Sequence, residues 1–234
     1  MVSTRSSSLA LTPGPKSSPS DASPPPIPPP STRRRGPARS TATTSSSQWT
    51  HQPSTLVVAW LFVSLPLVLW DAAYVFLRPH SMPGGSLHWP VWSLYAIQAE
   101  LDYTYGFKAW NAGDGWNGAQ SAMNLVETAV YLAYLGLWWG SKGPVGGRKG
   151  AVMALLGFVG AVGTVDKTLL YWLNEAFSGF ANIGHNPPAR LFFLWVIPNG
   201  AWIVFPSIMA WQFGADILQG LERASAPAGR SKAE

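Results

Sequence analysis

The chain contains no cysteine in 234 residues, which removes disulfides, thiolate nucleophiles and zinc-thiolate sites from consideration. Histidine is scarce as well. The four present, His51, His80, His88 and His185, include no pair at helical i, i+4 spacing, so no metal centre is expected. GxSxG, P-loop and HExxH motifs are absent, and the glycines of GPVGGRKG lack the strand context that dinucleotide or phosphate binding needs. No cofactor is implied. Charged residues make up only 12% of the chain and are unevenly distributed, with Arg5, Lys16, Arg33, Arg34, Arg35 and Arg39 all near the N-terminus. The net charge of +5 therefore belongs to a tail. That pattern indicates membrane topology or anionic lipid as its cause, and no nucleic acid as partner.

Residues 1–53 hold 11 of the 21 prolines and one of the 13 tryptophans, with PPPIPPP set between serine clusters. Too few apolar residues remain to build a core, so a disordered N-terminal tail is expected. It lacks the apolar stretch of a signal peptide, and its Arg- and Ser-rich, acid-poor character only weakly resembles a mitochondrial transit peptide. The polyproline run reads as a solvated linker or as an SH3-type ligand.

From residue 54 the composition is that of a membrane protein. Segments 54–77, 119–139, 151–173 and 191–213 each approach or exceed the roughly 20 helical residues that cross a hydrocarbon core. The expected fold is an all-α membrane protein, a four-transmembrane-helix bundle over residues 54–216 with a flexible cytosolic tail at 217–234. Twelve Lys and Arg fall in the N-terminal tail, the 140–150 loop and the C-terminal tail, against Arg78, Lys108 and Arg190 in the other two loops. Both termini are thus expected on the cytosolic side. Loop 78–118, too polar to span, should fold over the mouth of the bundle.

The second span, AQSAMNLVETAVYLAYLGLWW, is the informative one. Gln120, Asn124, Glu127, Tyr131 and Tyr134 recur at steps of four and three on one helical face, while Leu125, Val126, Val130 and Leu132 turn elsewhere. A carboxylate at bilayer depth is costly unless it faces a protein interior, so Glu127 is a candidate site residue. Asp71, late in the first span, reads either as a helix-end carboxylate paired with Arg78 or as a desolvated acid or base among Trp70 and Tyr74. Asp102 alone is a solvated loop residue. At Asp166 and Lys167 the expectation is that Lys167 snorkels outward while Asp166 faces inward. In the fourth span Asn199, Trp202 and Pro206 share a face, and Pro206 should disturb the helix. Trp202 offers a π surface to a cation, and Asn199 can orient a carboxylate or hydroxyl; both also suit simple helix-helix packing.

Taken in order, the first-span acid, a Trp/Tyr loop ending in the D-Y-x-Y of Asp102 to Tyr105, the second-span Glu and N-x-x-W-x-x-x-P in the last span resemble the EXPERA family across residues 56–216. Its members include sterol isomerases and the sigma-2 receptor. The resemblance implies that Asp71 contacts the ligand, that Asp102 supports it and that Glu127 transfers protons. It also implies that Trp202, beside Asn199, faces a carbocation. Gly184 and His185 look isomerase-like too. One position departs: the isomerases carry His one turn before the first-span acid, and here it is Leu67.

The resulting expectation is an endoplasmic-reticulum, multi-pass protein that binds a sterol or terpenoid small molecule in the lipid bilayer. Asp71 and Glu127 would serve as an acid/base pair for moving a double bond. Asp102, Tyr105, Gln120, Asn124, Tyr131, Asn199 and Trp202 would line the ligand site. The alternative is a non-catalytic lipid-binding or trafficking protein similar to the sigma-2 receptor. Assembly into a homo-oligomer is left open by the sequence.

Overall fold

Helix α1 begins where the sequence supplies a cap: the Ser54 hydroxyl accepts from the backbone N–H of Val57 at 3.3 Å and the helix runs Thr55–Phe76. In the computed structural model, which describes residues 48–226, the elements that follow are almost all helical. A short strand β1 (Thr50–His51) precedes α1. After it come α2 (Tyr95–Leu101), α3 (Phe107–Asn111), α4 (Trp116–Trp138), strand β2 (Val145–Gly146), α5 (Gly147–Phe177), α6 (Pro188–Leu191), a π-helical turn (Phe192–Val196) and α7 (Ile197–Ser225).

Among the described residues three helical stretches are long and apolar enough to cross a membrane: Thr55–Phe76, Gly147–Phe177 and Pro188–Ser225. The chain is thus a multi-pass membrane protein in its helix lengths and composition. Helix α4 matches them in length with 23 residues. It falls short in apolarity because Gln120, Asn124, Glu127 and Thr128 occupy its inner face. That face is turned as its spacing predicts. Glu127, Tyr131 and Tyr134 are buried, whereas Val126 and Leu132 are more than half exposed and suited to contact lipid.

The long helices pack in chain order, α1 on α4, α4 on α5 and α5 on α7. Trp60 of α1 closes the remaining seam against α7, with its ring 4.5 Å from that of Phe205 and 5.2 Å from that of Trp202. Helix α5 is central because its buried stripe is made of small residues, including Gly157, Gly160, Ala161 and Thr164, which let neighbouring side chains reach its backbone. The Phe213 ring fills the space above Gly157 and the Tyr131 ring the space above Gly160.

The proline-bearing helix departs from expectation at a different proline. Pro206 is buried inside an unbroken α7. The irregularity lies ahead of Pro198, where the backbone N–H of Ile197 reaches Phe192 O in a wide π turn. Having no N–H, Pro198 cannot continue the regular ladder, and a π turn is one way to absorb the misfit.

The two ends of the bundle are built differently. At one end β1 pairs antiparallel with β2, Thr50 opposite Gly146, and the Trp49 indole donates to Asp216 O at 2.9 Å. His51 bridges Asp216 Oδ2 (2.8 Å) and the Tyr134 hydroxyl (3.1 Å). Residues 48–53, expected within the tail, are therefore packed against α4 and α7, and α7 extends to Ser225 instead of ending near 216. The remainder of the tail, 1–47, lies outside the described residues. At the other end segments 77–115 and 178–187 interlock: Tyr103 N–H donates to Asn182 O (3.2 Å) and Asn186 Nδ2 to Leu101 O (2.7 Å). The two loops expected on one side of the membrane thus meet there, and the charged 140–150 loop sits with β1 at the opposite end.

Gly157→Ala tests the packing. Its Cβ would lie 2.4 Å from the Phe213 ring, and overpacking of that kind costs about 1–3 kcal/mol. Gly136→Ala, which meets nothing within 4 Å, should be neutral or stabilising by up to about 1 kcal/mol. Thermal unfolding of both variants in detergent reads the contrast, and equal stabilities would contradict this packing of α5 on α7.

Candidate functional site

Residues of α1, α2, α4, α5 and α7 line an open cavity of about 430 Å³, within the size range of small-molecule sites. Leu67, Val68, Leu94, Leu194, Pro198 and Trp202 give it an apolar wall. Asp71, Tyr95, Gln98, Tyr105, Gln120, Asn124, Lys167, Thr168, Tyr171 and Asn199 supply the polar groups. Apolar walls with a few convergent polar groups are what amphipathic ligands require.

Asp71 reaches this cavity because residues 67, 68 and 71 share one face of α1. Its Oδ1 accepts from the Tyr95 hydroxyl at 2.7 Å. It is not paired with Arg78, whose guanidinium donates instead to Val75 O and Thr104 O. Tyr95 is held in turn, its ring stacked 3.9 Å from that of Tyr74. Burial, then the nearby Asp71 charge, pushes the Tyr95 phenol well above its ordinary range, so it stays a proton donor to the carboxylate. Tyr105 is raised for the same two reasons, burial first and the Asp71 charge second.

Asp102 is fully buried and does not line the cavity. The solvated-loop reading is corrected by its partners. Oδ1 accepts from the Thr104 backbone N–H (2.9 Å) and hydroxyl (2.7 Å), and Oδ2 accepts from the Tyr171 hydroxyl and from Trp195 Nε1 (3.2 Å). Asp102 bonds directly to Tyr171, a cavity residue, and not to Asp71. His185 is likewise outside the cavity, stacked on Tyr103 at 4.0 Å and bonded to Glu100 O.

Lys167 reverses the expected orientation. Its side chain is 13% exposed and turns inward, while Asp166 is the exposed neighbour. The ammonium donates to Asn124 Oδ1 and, at 3.0 Å, to Glu127 Oε2. Thr164 Oγ1 approaches the same oxygen at 3.0 Å, and the Tyr131 hydroxyl lies 3.3 Å from Thr164 Oγ1. Lys167 lines the cavity, whereas Glu127 and Tyr131 do not. The shared Asp71–Glu127 pocket expected from sequence is thus replaced by one that Asp71 shares with Lys167, Glu127 supporting the lysine from behind. Burial of both charges makes the pair costly to break, since removing one partner strands the other.

Of the expected ligand-contact residues, Tyr105, Gln120, Asn124, Asn199 and Trp202 border the cavity together with Asp71. Asn199 also turns its amide back to Trp195 O at 2.8 Å. Sequence reasoning missed Tyr95 and Gln98 on α2 and Lys167, Thr168 and Tyr171 on α5. The signal was present: Thr164, Lys167, Thr168 and Tyr171 occupy positions i, i+3, i+4 and i+7, one face of a helix. Among the described residues no group of three or more His, Asp or Glu could hold a metal ion. No protein-family model, curated protein or solved structure matches the chain, and the site is read from its own geometry.

Lys167→Met should destabilise the protein by about 3–5 kcal/mol by leaving Glu127 buried and uncompensated. The double substitution Lys167→Met with Glu127→Gln should recover most of that loss. Unfolding in detergent across the four proteins of this cycle measures the coupling, and additive effects would contradict the ion pair.

Proposed function

We propose that the protein binds a sterol- or terpenoid-like molecule in the cavity, within a four-span bundle of the endoplasmic-reticulum membrane whose termini face the cytosol. The observation that carries the proposal is the cavity itself, an apolar wall about Trp202 and Leu67 meeting a polar end that holds Asp71. The exposed apolar faces of the long helices suit a bilayer, from which such a ligand partitions. Helix α4 completes the fourth span, the Glu127 carboxylate on its polar face paired with Lys167 of α5, as an intramembrane charge requires. The order of motifs that resembles the EXPERA family is compatible with this reading.

Double-bond isomerisation is a second reading, favoured by one observation: Asp71 and Trp202 border the same cavity. In that reaction the protonated Asp71 carboxyl adds its proton to one alkene carbon, forming a carbocation opposite the Trp202 π system. The resulting carboxylate then removes a proton from the adjacent allylic position, so the acid is regenerated and the double bond has moved. Glu127, held by Lys167 and Thr164, has a supporting role in this scheme. Leu67 on the cavity wall favours the non-catalytic reading, because it supplies no proton carrier where the isomerases have one.

Purified protein incubated with a panel of unsaturated sterols and terpenoids decides between them. The binding reading predicts saturable uptake of at least one panel member, weakened in a Trp202→Ala variant; absence of uptake by the wild type would contradict it. The isomerase reading predicts a shifted alkene by NMR, with turnover reduced at least about 100-fold in Asp71→Asn.

A further inference from the structure

Lys167 borders the ligand cavity, yet neither reading above gives it work on the ligand. An ammonium carries three N–H donors. Two are taken by protein, one by Asn124 Oδ1 and one by Glu127 Oε2 at 3.0 Å. Among the described residues no third acceptor engages it, and Lys167 lies on the cavity wall. An unmet donor on a buried charge is costly, and at this wall the missing acceptor has to come from whatever occupies the cavity.

We propose that Lys167 anchors the ligand through a neutral oxygen acceptor, so that the cavity selects molecules bearing a hydroxyl or ketone at their polar end. The proposal rests on the reading of the cavity as a sterol or terpenoid site, and it narrows the ligand class. Two charged alternatives fit less well. In the binding reading, where Asp71 is a carboxylate that accepts from Tyr95, a ligand carboxylate would meet its like charge in the same cavity, and a cationic amine would meet Lys167 itself. A hydroxyl or ketone avoids both repulsions and completes the ammonium's set of acceptors. Asn124 and Glu127 are then positioning residues, which fix the ammonium so that its third donor is presented to the cavity instead of searching among rotamers.

The test uses the full chain in lipid nanodiscs and three probes that differ at one carbon, a 3β-hydroxysterol, its 3-ketone and its 3-deoxy counterpart. A charge-assisted hydrogen bond gained at a buried site should make the hydroxysterol and the ketone bind the wild type about ten- to hundredfold more tightly than the deoxy compound. Lys167→Met with Glu127→Gln removes both charges together. In that variant the oxygen preference, the ratio of hydroxysterol or ketone affinity to deoxysterol affinity, should fall to about unity. Lys167→Arg, which keeps the charge and donors, should retain part of the preference. Equal binding of all three probes by the wild type would overturn the anchor whether or not the variants fold. An undiminished oxygen preference in the double variant would also overturn it, while leaving the cavity as a sterol site. Binding of none of the three by the wild type would overturn the sterol reading and the anchor with it.

Discussion

The ammonium of Lys167 and the carboxylate of Glu127 lie 3.0 Å apart, 13% and 11% exposed, between two helices of bilayer length. Neither charge could sit alone at that depth, and their pairing fixes how α4 and α5 are rotated about their own axes. The small residues of α5 depend on that rotation. Gly157 and Gly160 must face Phe213 and Tyr131 for the helices to approach as closely as they do, and Thr164 must face Glu127 to donate to it. The same rotation brings Lys167, Thr168 and Tyr171 to the cavity wall. One electrostatic requirement therefore sets both the packing and the chemical lining.

Beyond that pair, the cavity is held by groups that never touch its interior. Asp102 collects four hydrogen bonds from Thr104, Tyr171 and Trp195. It thereby ties loop 102–106 to α5 and to the π turn ahead of α7. Tyr95 is fixed by stacking on Tyr74 and by its bond to Asp71. At the far end His51 joins Asp216 to Tyr134, fastening the chain before α1 to α4 and α7. Buried polar groups with paired partners define unique arrangements more strongly than apolar packing does, and here they sit at both ends of the bundle.

Much of this was legible in the residues. The inner face of α4 follows from the spacing of Gln120, Asn124, Glu127, Tyr131 and Tyr134, because helical periodicity converts sequence directly into direction. The grouping of the loops by end follows from their charges. Neighbours are a different matter, since spacing on one helix carries no information about which helix it meets. Adjacent residues of opposite charge, Asp166 and Lys167, were assigned inverted directions for that reason. A long lysine can snorkel, and only the presence of Glu127 and Asn124 across the helix interface makes inward the better choice. Asp102 reads as solvated in sequence because two of its four donors, the Tyr171 hydroxyl and Trp195 Nε1, come from elements far along the chain. The irregular turn at Phe192–Val196 arises where Pro198 removes a donor, a local signal that was overlooked in favour of Pro206.

The direction in which Lys167 points is central, because it decides whether Glu127 or Lys167 borders the cavity. The natural chain has no cysteine, so engineered pairs can be oxidised in membranes without background. Asn124→Cys combined with Lys167→Cys should form a disulfide or be joined by a short bifunctional maleimide, and Asn124→Cys combined with Asp166→Cys should not. Cross-linking of the second pair in preference to the first would mean that α5 is rotated the other way, and the cavity described here would not exist.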